Sequence, residues 1–96
     1  MEIHIFVRFY ALPGREGAVE AALHETVVLT RTEPGCLGVN AFRSAHDPRL
    51  FWVHSHWTGK EAVEIHATLP YMVRFLEKMQ ELTVDQIDVA STHLIV

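Results

Sequence analysis

The stretch CLGVNAFRSAHDPRLFWVHSHWT, residues 36–58, predicts a β-hairpin. Its two halves, Cys36–Ser44 and Leu50–Thr58, are rich in the β-branched and aromatic side chains that favour strands. Between them the residues HDPR, 46–49, predict a turn, because the proline ring fixes a backbone dihedral that such turns require. Gly59 ends the second strand. The hairpin therefore supplies strands two and three of a larger sheet.

The residues before the hairpin predict a strand followed by a helix. Residues 2–11 alternate between two faces, which is the period of a strand. One face carries Ile3, Ile5, Val7 and Phe9, and the other carries His4, Phe6, Arg8 and Tyr10. From Arg15 to Thr32, apolar residues such as Val19 and Leu23 recur at helical spacing. We expect this amphipathic helix to pack on the apolar face of the strand.

The residues after the hairpin predict two helices and a last strand. Lys60–Thr68 predicts a short helix, and Pro70 can open another because proline is tolerated in the first helical turn. Thr83–Val96 ends in an apolar run and predicts a strand. The order β-α-β-β-α-β is that of the ferredoxin-like arrangement, in which right-handed crossovers give the strand order 4-1-3-2. The sequence therefore predicts one α+β domain, residues 1–96, with helices on one face of an antiparallel sheet.

Size and charge exclude several classes of protein. The 96 residues carry a formal charge of −4, and their 8 Lys and Arg residues are scattered, which argues against a nucleic-acid partner or an anionic membrane. No apolar run approaches the roughly 20 residues that cross a bilayer. The single cysteine, Cys36, cannot form an intramolecular disulfide, which fits a reducing compartment. We expect a cytoplasmic protein with no nucleic-acid or membrane partner.

The second face of the predicted sheet is expected to be covered by another copy of the chain. Phe6 and Tyr10 on strand one and Trp52 on strand three face away from the helices in the predicted register. So large an aromatic surface is rarely left in water. Because two-fold dimers are the commonest oligomers, the sequence predicts a homodimer whose two sheets close into an α/β barrel.

His66 is the leading candidate for a functional residue. It shares one helical face with Ala62, Val63 and Leu69, because residues three and four apart stack on a helix. An ionisable ring on an inward-facing stripe has two explanations. It is either a core histidine whose hydrogen bonds are satisfied, or the polar group of a pocket, where an imidazole can act as a general base near neutral pH.

The segment EPGCLGVNAFRSAHDPRLFWVHSHWTGKEAVEIH, residues 33–66, resembles the central signature of the antibiotic-biosynthesis monooxygenase domain. The matching features are the EPGCLG entry to strand two, the DP turn, the aromatic strand that ends in Trp57 and the histidine late in the next helix. The family consists of dimeric α/β barrels and includes small quinol monooxygenases. The resemblance extends over nearly the whole chain and implies a pocket between sheet and helices in each subunit.

The resemblance also implies a reaction. Oxygenases of this family need no cofactor, because they deprotonate a phenol or quinol and the resulting anion reacts with O2. By resemblance His66 is the base. Ser55 departs from the family pattern, since many members carry a glutamate there on strand three. The candidates for binding a small aromatic substrate lie on the elements around the pocket: Val7, Ser55, Trp57, Tyr71 and Phe75.

Neither haem, flavin nor metal is expected as a cofactor. Haem-degrading relatives ligate iron through a histidine where this chain has Leu76, and no GxGxxG fingerprint indicates a dinucleotide. His4, His54 and His56 share the second sheet face, and imidazole pairs at that spacing can bind Zn, Ni or Cu. We expect a polar patch inside the dimer instead, because no cysteine or carboxylate completes a ligand set.

Two other functions remain open on the sequence alone. One is a non-catalytic dimeric module that binds a small hydrophobic ligand or acts in a stress response. The other is an isomerase-like enzyme in which His66 transfers a proton without O2. An enzyme needs His66 free to touch the ligand, whereas a binding module needs only an apolar pocket.

Overall fold

The computed structural model describes the backbone of residues 1–96 and every side chain except that of Gln86. In chain order the elements are β1 (Ile3–Ala11), α1 (Glu16–Thr30), β2 (Cys36–Arg43), β3 (Leu50–Trp57), α2 (Lys60–Thr68), α3 (Pro70–Leu82) and β4 (Thr83–Thr92). They form one antiparallel sheet in the order β2-β3-β1-β4, which is the predicted order read from the other edge. The predicted ferredoxin-like α+β fold is confirmed.

The register of β1 against β3 decides which residues face the helices. Val7 pairs with Val53 and Phe9 pairs with Phe51, so these side chains point to the helical side. Ile5 pairs with Ser55 on the same side. Because side chains alternate along a strand, the neighbouring residues point to the opposite side, which we call the open face. The open-face pairs of these two strands are His4–His56, Phe6–His54, Arg8–Trp52 and Tyr10–Leu50.

The core lies between the sheet and helices α1 and α3. Val19 and Leu23 from α1 and Met79 from α3 are buried against the buried strand residues Phe9 and Phe51. The apolar stripe of α1 is thus the buried stripe that helical spacing predicts. The Phe9 ring meets the ring of Phe75 edge to face at 5.9 Å between centroids, a favoured aromatic geometry.

Strands β2 and β3 each end one residue earlier than the sequence indicates, and two other elements end at least two residues earlier. The last paired residue of β4 is Thr92, which lies opposite His4 near the start of β1. Residues 93–96 therefore extend beyond the partner strand and are not part of the ladder. Helix α1 ends at Thr30 rather than Thr32, because the amides of Thr32 and Glu33 donate to carbonyls three residues back, those of Leu29 and Thr30, and the chain turns there.

The open face carries large apolar side chains that are accessible in the single chain. Phe6, Phe42 and Trp52 are 45%, 54% and 42% exposed. Phe42 lies opposite Trp52 on β2, so the aromatic surface extends across three strands. No helix in the described part of the chain is long and apolar enough to cross a membrane.

Candidate active site

A cavity of about 220 Å³ lies between the helical side of the sheet and the helices. Its wall is almost wholly apolar and includes Val7 and Val53 from the sheet and Phe75 from α3. His66, on α2, also lines it. Ala67 and Val89 line the cavity and remain exposed, so it reaches the surface at these two residues.

Helix α2 presents its predicted stripe to the cavity. Ala62, Val63, His66 and Leu69 are half-buried, whereas Glu61 and Glu64 are exposed. The His66 side chain retains only 15% of its surface. Its ring packs on Trp57 with 4.5 Å between the ring centroids. The stripe therefore brings the imidazole to the cavity wall, beside the most deeply buried aromatic residue of β3.

Glu33 is the hydrogen-bond partner of His66. The His66 Nδ1 lies 2.7 Å from Glu33 Oε2, and the Glu33 side chain is 10% exposed. Because a carboxylate only accepts hydrogen bonds, the Nδ1 carries the proton and donates it. The neutral ring then has its lone pair on Nε2. Glu33 thus fixes both the tautomer and the orientation of the imidazole.

The same carboxylate oxygen accepts a second hydrogen bond, from the Tyr71 hydroxyl. Thr30 Oγ1 lies 2.9 Å from the Tyr71 oxygen and donates to it, since the tyrosine proton is directed at Glu33. We call Thr30, Tyr71, Glu33 and His66 the Glu33 network. Burial raises the pKa of Tyr71 well above its usual range, and the hydrogen bond to Glu33 raises it further. Tyr71 is therefore a neutral donor at physiological pH.

The turn that carries Glu33 is held tightly against the end of β3 and the start of α2. The Cys36 amide donates to the Glu33 carbonyl at 3.0 Å, and the Thr58 amide donates to the Gly35 carbonyl at 3.0 Å. Gly35 touches α2 so closely that a Cβ there would overlap the Cβ of Ala62. Only glycine permits this approach, which places the Glu33 carboxylate within reach of His66.

Ser55 and Trp57 form a second polar pair on the wall. The Trp57 Nε1 donates to Ser55 Oγ at 2.8 Å. Both groups therefore have a hydrogen-bond partner although Trp57 is only 1% exposed and Ser55 only 7%. The serine hydroxyl accepts in this bond, which leaves its own hydrogen to donate elsewhere. The indole is therefore held in place, and Trp57 forms part of the cavity wall.

The structure brings together most of the predicted site residues. Val7, Ser55, Trp57, His66 and Phe75 all line the cavity. Tyr71 is different, because it does not line the cavity and instead lines a depression between α1 and α3. Its ring meets the His66 ring edge to face, with 6.2 Å between the centroids. The Tyr71 hydroxyl donates to Glu33, so Tyr71 supports the partner of His66 and is not part of the cavity wall.

Glu33 itself was not among the residues that the sequence indicated. The hairpin register pairs Cys36 with Trp57, so residues just before β2 must lie beside residues just after β3. That end of the sheet is where α2 begins. A carboxylate next to Pro34 in this turn is the signal that could have identified Glu33 as a partner of His66.

The histidines of the open face contact one another instead of converging on one point. His4 Nδ1 lies 2.8 Å from His54 Nε2, and the rings of His4 and His56 stack 4.1 Å apart. Burial lowers the pKa of His54, and the neighbouring His4 and His56 lower it further. Among the described side chains, no group of three His, Cys, Asp or Glu residues is placed to hold a metal ion.

Comparison with known proteins identifies the family. Residues 2–78 match the family model described as antibiotic biosynthesis monooxygenase. The chain belongs to this family. The matched span includes the whole Glu33 network, and the resemblance of residues 33–66 is thereby confirmed. No curated protein matches the sequence.

Solved structures of low sequence identity share the fold. Rv0793 from Mycobacterium tuberculosis superposes with a TM-score of 0.94 at 20% identity, over 100% of this chain and 97% of that one. PA3566 from Pseudomonas aeruginosa gives 0.91 at 24% identity, over 99% and 95% of the two chains. A variant of SnoaB, a cofactor-independent oxygenase from Streptomyces nogalater, gives 0.88 at 15% identity, over 99% and 94%. The family fold therefore extends over essentially the entire chain.

Proposed function

We propose that the protein is a cofactor-independent monooxygenase that oxidises a small phenol or quinol with O2 inside the cavity. The observation that carries this proposal is the Glu33–His66 pair on the wall of an otherwise apolar cavity. Such a pair supplies a general base whose orientation is already fixed. Membership of the monooxygenase family supports the proposal, and so does the described activity of SnoaB.

The first step is removal of a proton from the substrate hydroxyl by His66. Its Nε2 accepts the phenolic proton while Nδ1–H stays hydrogen-bonded to Glu33. The imidazolium that forms is stabilised by the carboxylate 2.7 Å away, as charge-assisted hydrogen bonds are stronger than neutral ones. Tyr71 donates to the same carboxylate, which holds Glu33 in place during the transfer.

The second step is the reaction of the electron-rich phenolate with O2. A ring carbon forms a bond to O2, and the proton on His66 passes to the distal oxygen, which gives a ring hydroperoxide. Loss of the ring hydrogen and cleavage of the O–O bond then leave a carbonyl and one molecule of water. The substrate is oxidised to a quinone, one oxygen atom enters the product, and no external reductant is consumed. The apolar wall favours both partners of this step, because O2 and an aromatic ring are poorly hydrated.

The remaining wall residues have positioning roles in this proposal. The Ser55 hydroxyl donates to a substrate oxygen while it accepts from Trp57. Trp57, Phe75 and Val7 enclose the flat ring of the substrate. We further propose that the chain is a cytoplasmic homodimer joined through the open face, because the exposed aromatics there form a surface that water does not favour.

The test is oxygen uptake with dihydroxynaphthalenes and hydroquinones, measured for the wild type and for His66→Gln. Glutamine removes the base but keeps an amide N–H that can reach Glu33, so the fold is retained. We expect the turnover rate to fall by roughly 10²- to 10⁴-fold, the usual contribution of a positioned acid–base group. His46→Gln is the matched control, because His46 is exposed and does not line the cavity.

The outcomes separate the three candidate functions. Full activity of His66→Gln would rule out the role of His66 as base. Consumption of substrate without oxygen uptake would favour the isomerase-like enzyme. Binding of the compounds without any turnover by the wild type would favour the non-catalytic binding module.

A further inference from the structure

The distribution of charge around the cavity limits what it can hold. His66 is the sole ionisable residue among the described side chains of the wall. The other polar residues on it are Thr26, Thr30 and Ser55, and the hydroxyls of the last two are already hydrogen-bonded to Tyr71 and Trp57. A ligand in the cavity therefore contacts one imidazole and few hydroxyl groups that are free to donate a hydrogen bond. The rest of the wall is apolar.

Cations near the cavity are committed elsewhere. The Arg31 guanidinium donates to the Val39 carbonyl at 3.0 Å and to Asn40 Oδ1 at 2.9 Å. Arg74 and Lys78 line the depression between α1 and α3, not the cavity. The charge behind His66 is the carboxylate of Glu33. In the proposed reaction the one cation of the cavity is the imidazolium that forms at His66, and it is paired with the substrate oxygen. A further anionic group elsewhere on the ligand would lose its water without gaining a fixed cation, which is costly.

The size of the cavity sets a second limit. Its volume of about 220 Å³ is below the roughly 300–1,000 Å³ that is typical of pockets for drug-sized ligands. The cavity therefore suits a ligand smaller than a drug-sized molecule, and each further fused ring brings the ligand closer to the opening at Ala67 and Val89.

We infer that the substrate is an uncharged phenol or hydroquinone of one or two fused rings that carries no carboxylate, sulfonate or phosphate. The inference rests on the proposed function, since it assumes that the substrate hydroxyl lies at His66. It adds that the remainder of the molecule is apolar and that acidic aromatic compounds are rejected on binding, before any reaction with O2.

The test measures binding without oxygen, so that it does not depend on turnover. A naphthol and the same naphthol carrying a carboxylate are titrated anaerobically into the Trp52→Phe variant, in which quenching of the remaining tryptophan, Trp57, reports occupancy. We expect the uncharged naphthol to bind at least about 10²-fold more tightly than the carboxylated one, because burying an unpaired carboxylate costs free energy. A phenol and a three-ring anthrol test the size limit, and the anthrol should bind more weakly than the naphthol.

A pair of lysine variants tests the electrostatic reason. Val89 lines the cavity and is 57% exposed, so the protein can accept a lysine there without losing its fold. The lysine then places a cation at the opening of the cavity. Val28 on α1 is 50% exposed and does not line the cavity. Both substitutions are made in the Trp52→Phe variant, which is the parent protein. We expect Val89→Lys to bind the carboxylated naphthol about tenfold more tightly than this parent does, while Val28→Lys leaves that affinity unchanged.

The inference and the proposed function fail in different ways. Equal or tighter binding of the carboxylated naphthol or of the anthrol by the parent would overturn the inference. So would a carboxylate affinity that does not rise in Val89→Lys or that rises equally in Val28→Lys. If the protein binds the uncharged naphthol selectively but consumes no oxygen with any uncharged phenol or hydroquinone, the inferred binding selectivity is confirmed. The proposed monooxygenase function is then wrong.

Discussion

The ring of His66 combines the two roles between which the sequence could not choose. Its Nδ1 is hydrogen-bonded like that of a satisfied core histidine, and the partner is Glu33. The same ring lines the cavity. The two explanations are compatible because an imidazole has two nitrogens at opposite edges of the ring. Glu33 uses one of them, and the other is the nitrogen that we propose as the base.

The first prediction concerns the carboxylate that orients this ring. We expect Glu33→Gln to lower kcat by up to about 10²-fold, the lower end of the range for an acid–base group, with little change in KM. The amide no longer stabilises the imidazolium, but it does not alter the cavity wall. The measurement is steady-state oxygen uptake, and the control is Glu25→Gln, an exposed site on α1.

A rise in KM with kcat unchanged would contradict the positioning role of Glu33. It would mean that the side chain contributes to substrate binding alone.

The second prediction follows from the raised pKa of Tyr71. The folded protein keeps this phenol protonated at pH values where the unfolded chain ionises it, and the main cause is burial. The unfolded tyrosine titrates at about pH 10, so the stabilisation is fully present below that pH and is lost as pH rises further. Thermal melts between neutral and alkaline pH should therefore fall more steeply for the wild type than for Tyr71→Phe. Parallel curves for the two proteins would show that Tyr71 is not the titrating group.

At the scale of elements, the α1–β2 turn determines whether Glu33 and His66 meet. Helix α1 ends at Thr30 and β2 begins at Cys36, and the turn between them lies against α2. Three features hold it there: the hydrogen bond from Thr58 to Gly35, the absence of a side chain at Gly35, and the contact with Ala62. The turn is thus a structural part of the site although it belongs to neither helix nor sheet.

The third prediction tests that contact. Gly35→Ala should lower the free energy of unfolding by about 1–3 kcal/mol, the usual cost of overpacking, because the new Cβ would overlap Ala62. Activity should fall as well, since the turn must move Glu33 away from His66. Gly17→Ala in α1 is the matched control. An added Cβ there meets open space, and we expect a gain of about 0.4–1 kcal/mol. Equal melting temperatures for Gly35→Ala and the wild type would show that the turn is not tightly held.

At the scale of the whole molecule, the two faces of the sheet have different surroundings. The helical side supplies the core and the cavity, whereas the open face presents Phe6, Phe42 and Trp52 to its surroundings. Near them His4 and His54 are hydrogen-bonded to each other. A second copy of the chain, related by a two-fold axis, is the partner we propose for this face.

The fourth prediction is that Trp52→Glu disrupts the dimer. A carboxylate in a dry interface has no partner, so association should weaken by several kcal/mol. Light scattering at micromolar concentration should give a dimer for the wild type and a monomer for the variant. Ile65→Glu adds the same charge at an exposed site on α2 and should remain a dimer. A monomeric wild type would contradict the homodimer, and a Trp52→Glu dimer with an unchanged melt would place Trp52 outside the interface.

The order of the elements, their types and the residues that face the helices were predictable from the sequence. Alternation along β1 and the helical spacing along α1 are local patterns, and each follows from which side chains a strand or helix can bury. The same reasoning placed His66 on the inward stripe of α2 and placed Val7, Ser55 and Trp57 on the helical side of the sheet. The pocket itself, and Phe75 beside it, came from the family resemblance. The structure places these residues on the cavity wall. The end of β4 was predicted too far along the chain, because the length of a strand depends on its partner as well as on its own composition.

What only the tertiary structure decided is the identity of the partner of His66 and the place of Tyr71. Glu33 and His66 are 33 residues apart in the chain, and Glu33 and Tyr71 are 38 apart. No periodic pattern connects such positions. They meet because the hairpin register brings the turn before β2 to the end of β3, and because Gly35 lets that turn approach α2. A hydrogen bond requires two atoms to lie within a few tenths of an ångström of one distance, and that precision comes from packing, which the sequence specifies only through the complete fold.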